Sequence, residues 1–330
     1  MRPLQRLLVT GGAGFIGSAF VRTLLNIPDF NGFVLTLDSL TYASDLSLLE
    51  NLDEKRHRFV RGDILDQSLV KQLLREEEID TIVHFAAQTH VDRSIVSAAP
   101  FFETNVNGTL ALLEALRAVS KKIHFHHVST DEVYGSLGRT GLFNESSPYK
   151  PNSPYAASKA GSDLLVRAFA HTYDLSTTIS HCSNNYGPGQ HPEKFIPLMT
   201  LHALNKKPLP LYGTGGNIRD WLYVDDHANA LWRILKIGKK SETYDLGGNC
   251  ELTNFELLKT LLRIIAEETQ ESLDDLISLI TFVPDRLGHD FRYAIDSSKS
   301  HKELGWAPET RLLDGLRKTV CWYLNKAVVF

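Results

Sequence analysis

Apolar residues arrive along the chain in short runs that alternate with amphipathic stretches. Leu4 to Thr10 is a buried-strand run, followed by Gly11-Gly12-Ala13-Gly14-Phe15-Ile16-Gly17 and then by Ala19, Phe20, Val21, Leu24 and Leu25 at helical spacing. Phe33 to Leu37 predicts a second strand, Phe59 to Ile64 a third and Thr81 to Ala87 a fourth, with a charged helical stretch, Ser68 to Glu78, between the last two. Thr104 to Thr109 opens another helical stretch, Leu110 to Ala118, ahead of a fifth strand over Ile123 to Ser129. A long helix through Tyr155 and Lys159 to about His171 leads to a sixth, Ser176 to Cys182. This alternation predicts an α/β fold with a Rossmann-like, doubly wound parallel sheet of strand order 3-2-1-4-5-6.

From Ser183 the pattern changes. Pro192, Pro197, Pro208 and Pro210, with Gly213, Gly215 and Gly216, break any long repeat, so the chain reads as loops around short helices. A smaller α+β substrate-binding domain is expected, covering the carboxyl ends of the strands. Tyr244 to Gly248 reads as a strand returning to the first domain, and Ser297 to Leu304 and Leu312 to Leu324 as closing helices. The expected division is 1-184, with a return segment at about 220-250, for the first domain, and 185-219 plus 251-330 for the second.

Composition narrows the function classes. The 330 residues, 43% hydrophobic, suffice for a large core, and a net charge of -4 without long Lys/Arg runs argues against nucleic acid. Three distant cysteines, Cys182, Cys250 and Cys321, exclude a fully paired disulfide framework and any CxxC pair. No apolar run approaches the roughly 18 residues of a membrane span. The first strand pattern begins too early for a leader, so a cytoplasmic protein with no membrane partner is expected. His124 and His126 point to one face of a strand and His127 to the other, with no acidic or Cys partner at ligand spacing, so no metal site is expected.

The candidate chemistry lies at strand ends. Gly11, Gly14 and Gly17 could form only a tight turn, but strand, glycine turn and helix arrive in the order of a dinucleotide fold. Asp38 closes the second strand about 21 residues after Gly17, where a carboxylate accepts bonds from ribose hydroxyls and repels the extra phosphate of NADP. NAD is therefore the expected cofactor. Ala86 and Ala87 read equally as close cofactor approach or as helix packing. Ser129-Thr130-Asp131-Glu132-Val133-Tyr134-Gly135 sets a hydroxyl and two carboxyls at a strand end. Tyr155 and Lys159, four apart on a helix, share a face, and the ammonium is expected to lower a phenol pKa normally near 10. An adjacent acid and base can eliminate water. Lys194, Arg219 and Arg286 suit a diphosphate.

The glycine turn, the Thr-Asp-Glu-Val-Tyr-Gly motif and the Tyr155/Lys159 pair together resemble the extended short-chain dehydrogenase/reductase superfamily. Ala86 to Ser94, Ser183 to Pro188, Pro192-Glu193-Lys194, Gly216 to Leu222 and Asp285 to His289 resemble, within it, the nucleotide-sugar 4,6-dehydratases, above all the dTDP-glucose 4,6-dehydratase family. The resemblance implies that Tyr155 takes the proton of the sugar's 4-hydroxyl while Thr130 holds that oxygen. It further implies that Glu132 removes the C5 proton, Asp131 protonates the departing 6-hydroxyl, and hydride taken by NAD at C4 returns to C6. Phe15, Ile16, Asp63, Ile64, Thr104 and Asn185 join the implied cofactor site. Thr89, Asn184, Phe195, Pro210, Tyr212, Asn254 and His289 join the implied substrate site with Lys194, Arg219 and Arg286. A homodimer built on helices near Val106 to Ala118 and Ser158 to His171 is also implied. The nucleotide base stays open between dTDP and UDP, and Asp131-Glu132 weigh against an epimerase or decarboxylase.

Overall fold

A parallel sheet carries the chain's chemistry at one edge of its strands, as seen in a computed structural model that describes residues 2, 4–119 and 121–327. The strands in chain order are β1 (Arg6–Thr10), β2 (Phe33–Asp38), β3 (His57–Arg61), β4 (Thr81–His84), β5 (His124–Thr130) and β6 (Ser176–Cys182). Three short strands follow, β7 (Asn184–Tyr186), β8 (Leu209–Tyr212) and β9 (Ile218–Tyr223), before β10 (Thr243–Leu246) rejoins the large sheet. Finally come β11 (Glu251–Thr253) and β12 (Ile280–Val283). The large sheet has the order β10-β6-β5-β4-β1-β2-β3, so the expected 3-2-1-4-5-6 arrangement is present with β10 added beside β6. All its pairs are parallel.

Helices cover both faces of that sheet: α1 (Phe15–Asn26), α2 (Gln67–Glu76), α3 (Val91–Val96), α4 (Ala99–Phe102), α5 (Thr109–Arg117) and α6 (Pro154–Tyr173). The later ones are α7 (Phe195–Leu204), α8 (Val224–Ile237), α9 (Asn254–Thr269), α10 (Leu273–Ser278), α11 (Ser298–Leu304) and α12 (Leu312–Ala327). Successive residues of a strand face opposite sides. Leu7 and Val9 accordingly pack with Phe20 and Leu24 of α1 and with Leu231 and Leu235 of α8. Leu8 turns to the other side, with Leu73 of α2, Leu112 of α5 and Val166 of α6. Because both faces are covered, the central strands are buried along nearly their whole length, including β5 with its three histidines.

A separate core joins α7, α9 and α12 to β8 and β9 through Met199, Leu211, Trp221, Leu258, Leu261 and Val320. Leu304 and Trp306 pack instead with α1 and α8.

Two predicted strands are shifted. β3 spans His57–Arg61 and turns at Gly62, and β4 stops at His84 because the chain must cross the glycine turn, where Ala86 meets Gly11. The helical stretch expected from Thr104 contains a π-helical segment, Glu103–Gly108, that turns Asn105 inward. Its side chain exchanges bonds with the backbone of Gln88 (2.8 and 3.0 Å) and donates to Ser158 Oγ (2.8 Å), which ties the segment after β4 to α6.

Candidate active site

The glycine turn follows from backbone geometry. Gly11 has φ +71, and a Cβ there would lie 2.5 Å from the Ala86 nitrogen; one on Gly17 would lie 2.3 Å from the Gly11 carbonyl oxygen. With no side chains in the way, the first turn of α1 sits close against the end of β1, and no side chain caps that helix N-terminus. Unfilled amides at a helix N-terminus suit an anion. At the end of β2, Asp38 Oδ2 accepts from the Ala13 amide (3.0 Å), while Oδ1 accepts from the Leu40 amide (2.8 Å) and Ser44 Oγ (2.9 Å). The carboxylate is held rigidly, and Oδ2 keeps an acceptor lone pair.

A cavity of about 420 Å³ runs from this turn across the strand ends. Gly11, Gly14, Phe15, Ile16, Gly17, Asp38, Asp63, Ile64, Ala86, Ala87, Thr104, Tyr155, Lys159 and Asn185, all expected at the cofactor, line it. The bare glycine cradle, the uncapped helix and the fixed carboxylate together fit a dinucleotide.

Thr130, Asp131 and Glu132 line the same cavity. β5 ends on Thr130, whose Oγ1 accepts from the Glu132 amide (3.3 Å) and so starts a short 3-10 turn, Asp131–Tyr134. Asp131 is 1% exposed and its Oδ2 has no partner. Burial, then Glu132 and Asp220, push its carboxyl well above the usual range. Glu132 is also raised by burial, but Arg219, Lys194 and Arg286 pull the other way. Both adjacent carboxyls are thus raised, Asp131 strongly, while nearby cations offset part of the rise at Glu132.

The expected lowering of the Tyr155 phenol is not found. Burial and then Glu132 drive it well above 10, against a contact from Thr130 that lowers it. Lys159 Nζ donates to the Val128 carbonyl (2.9 Å), and burial lowers the ammonium's own pKa while Asp163 supports its charge. Burial therefore sets the direction for both groups.

Behind this wall lies a network the sequence did not disclose. His181 bridges Asp163 Oδ2 and Asp245 Oδ1, both at 3.0 Å. Asp163 also accepts from Ser129 Oγ (3.0 Å) and the Tyr149 hydroxyl (2.9 Å), and the Tyr134 hydroxyl donates to Asp245 (3.0 Å). Tyr155, Lys159 and Asp163, each four apart, share one stripe of α6, so the network anchors that helix. Through Tyr134 it also anchors the turn carrying Asp131 and Glu132. His124 and His126 face Ser and Thr side chains of β6, and His127 faces Ser162 and Asp163.

Of the residues expected at the substrate, Thr89, Asn184 and Lys194 line the cavity, and Lys194 Nζ donates to the Thr89 carbonyl (2.9 Å). Arg219 is buried, donates to the Asp290 carbonyl (3.0 Å) and lies 4.3 Å over the Tyr293 ring, close enough to act on Glu132. Arg286 pairs with Asp92 (2.6 Å) and covers Tyr212, whose ring meets His289 edge-on at 6.0 Å. These form a cationic and aromatic rim outside the cavity lining. Phe195 packs on the core of the later helices, and Pro210 lies between buried Leu209 and Leu211. Asn254 opens α9 with its amide on the Asn217 carbonyl (2.9 Å). Ser183, Gln190, His191 and Glu193 also line the cavity, although sequence reasoning did not select them. Ser183, just before Asn184, and Glu193, beside Lys194, were within reach of the motifs that were read.

The family described as GDP-mannose 4,6 dehydratase matches residues 8–319. A probable dTDP-glucose 4,6-dehydratase of Sinorhizobium fredii is 52% identical, over 97% of this chain and 93% of the relative. The dTDP-glucose 4,6-dehydratase of Neisseria meningitidis serogroup B is 50% identical, over 98% and 94%. The crystal structure of DesIV, a dTDP-glucose 4,6-dehydratase of Streptomyces venezuelae with NAD and dTDP bound, superposes with a TM-score of 0.90 at 48% identity, covering 99% of each chain.

Proposed function

The chain belongs to the dTDP-glucose 4,6-dehydratase family, and from that premise we propose how its own residues convert dTDP-glucose to dTDP-4-keto-6-deoxyglucose and water. It is an NAD-dependent hydro-lyase. The observation that carries the residue assignment is the pair of adjacent carboxyls, Asp131 and Glu132, in one cavity with Thr130 and Tyr155 and under opposed electrostatic influence.

Gly11, Gly14, Gly17 and the first turn of α1 would hold the NAD pyrophosphate, and Asp38 a ribose. NAD, when bound, supplies the transient oxidation at C4 that is reversed at C6 and, in its oxidised form, a positive ring charge that favours the Tyr155 phenolate. Tyr155 accepts the proton of the 4-hydroxyl, and Thr130 hydrogen-bonds the same oxygen. Lys159, fixed by the Val128 carbonyl and with its charge supported by Asp163, stands one helical turn from Tyr155 on the same stripe of α6. Once C4 is a ketone the C5 hydrogen is acidic. Glu132, with Arg219, Lys194 and Arg286 favouring its carboxylate, removes it. Asp131, kept protonated by burial, donates to the 6-hydroxyl as it leaves as water. Arg219, Arg286 and Lys194 form the cationic side suited to the diphosphate.

Exposed Val96, Phe102, Leu164 and Tyr173 on α3, α4 and α6 support a homodimer through that face. No described helix is long and apolar enough to cross a membrane, in keeping with a cytoplasmic enzyme. Parallel turnover of dTDP-glucose and UDP-glucose tests the function, with keto sugar detected as an alkali-induced ultraviolet chromophore. Preferential product from dTDP-glucose is expected; product from UDP-glucose alone overturns the base assignment.

A further inference from the structure

We propose that Tyr42, Arg93 and Glu193 form a clasp that retains the dinucleotide from one turnover to the next. Tyr42 lies on the loop after β2, between Thr41 and Ala43, which both line the cavity. Glu193 lies on the segment after β7, also in the lining. Strands β2 and β6 stand on opposite sides of β1, β4 and β5 in the sheet, so a bond between these two segments spans the strand ends where the cavity opens.

That bond is present: the Tyr42 hydroxyl donates to Glu193 Oε1 at 3.0 Å. Arg93, at the start of α3, closes the triangle. Its Nε lies 3.2 Å from Glu193 Oε2, and its guanidinium stacks 3.8 Å from the centre of the Tyr42 ring. His191 meets Tyr42 edge-on at 5.5 Å. His90 and His191 also approach the carboxylate, at 3.9 and 3.8 Å, but burial lowers the pKa of both, so the cation in contact with it is Arg93, with Lys194 acting on it from the adjacent position.

Three segments of the cavity wall therefore converge on one carboxylate whose side chain is 11% exposed, while Tyr42 and Arg93 themselves remain open to solvent on its outer side. Burial and then Glu193 push the Tyr42 phenol up to about 12, so it remains a donor throughout the neutral range. A lyase that reverses its own oxidation has no need to exchange cofactor, and a clasp serves that economy. This inference rests on NAD as the occupant of the cavity.

The test is a chase of bound, labelled NAD by excess unlabelled NAD in the full-length protein. Wild type, Tyr42→Phe, Glu193→Gln and the double variant are compared. Each single change is expected to speed dissociation about 10- to 100-fold, the usual effect of losing a hydrogen bond to a charged group. The double variant is expected to be little faster than Glu193→Gln alone, because the Tyr42 hydroxyl acts through Glu193. Unchanged dissociation in the single variants, fully additive effects, or changes that track a lower unfolding temperature of the NAD-free protein overturn the clasp alone. Wild-type protein that binds no labelled NAD overturns the cofactor reading and the clasp with it.

Discussion

His181 is fully buried between Asp163 and Asp245, each 3.0 Å away, and the protonation of its ring is a stability term that pH can switch off. Burial alone would lower its pKa, but the hydrogen bonds and charges of the two carboxylates outweigh burial and raise it to about 9. In the unfolded chain it titrates near 6.5. Between those values the native protein holds a proton the unfolded chain has released, so this contribution is complete below about 6.5 and is lost as pH rises toward 9. One proton corresponds to about 1.4 kcal/mol per pH unit, hence about 2 kcal/mol between pH 6.5 and 8 and on the order of 3 kcal/mol by pH 9. The difference in urea denaturation between wild type and His181→Gln from pH 6.5 to 8, before thiols of the unfolded chain ionise near 8.5, isolates the effect. His181→Gln is expected to be less stable overall, and its deficit relative to wild type is expected to shrink by about 2 kcal/mol as pH rises over that range. His84, His124, His126, His127 and His227 act in the opposite sense up to about pH 7, because burial depresses their pKa values and leaves them neutral in the fold while the unfolded chain still binds protons, so the comparison with the variant is what separates the His181 contribution. A gap between wild type and His181→Gln that stays constant or widens from pH 6.5 to 8 refutes the reasoning.

Glu132→Gln is expected to abolish exchange of the C5 hydrogen with solvent deuterium while some reduction of bound NAD persists, as followed by NMR and NADH absorbance. Asp131→Asn is expected to slow water loss with a smaller effect on the first oxidation, seen as NADH accumulating before product. Each change should cost on the order of 100- to 10,000-fold in turnover, and full turnover in both removes the assigned roles. Gly17→Ala places a Cβ 2.3 Å from the Gly11 carbonyl oxygen and 2.9 Å from Gly12 Cα, both backbone atoms. NAD affinity by calorimetry is expected to fall about 10- to 100-fold.

The strand-turn-helix order, the sheet order and the residues at strand ends were legible because each is written in local spacing. Gly11 to Gly17 predicts a turn that only glycine permits, and the structure shows the contacts a Cβ would make. The carboxyl pair was legible for the same reason, being adjacent in the chain. What escaped were properties that depend on distant residues. The lowered Tyr155 phenol followed from the i,i+4 spacing to Lys159, yet burial and Glu132, 23 positions earlier, decide the direction. The Asp163-His181-Asp245 bridge joins α6, β6 and β10, and no local pattern marks it. The π-helical segment looks like ordinary helix in sequence, since its extra residue matters only through Asn105 reaching Gln88 and Ser158.

The central claim is that one site oxidises C4, removes water across C5 and C6 and reduces C6 without consuming cofactor. NMR of the product formed in ordinary water from dTDP-glucose deuterated at C4 tests it most directly. The account predicts a 4-keto-6-deoxy sugar with the deuterium at C6, a solvent hydrogen at C5 and no net NADH. A product that keeps its 6-hydroxyl and differs only in configuration at C4 would contradict it.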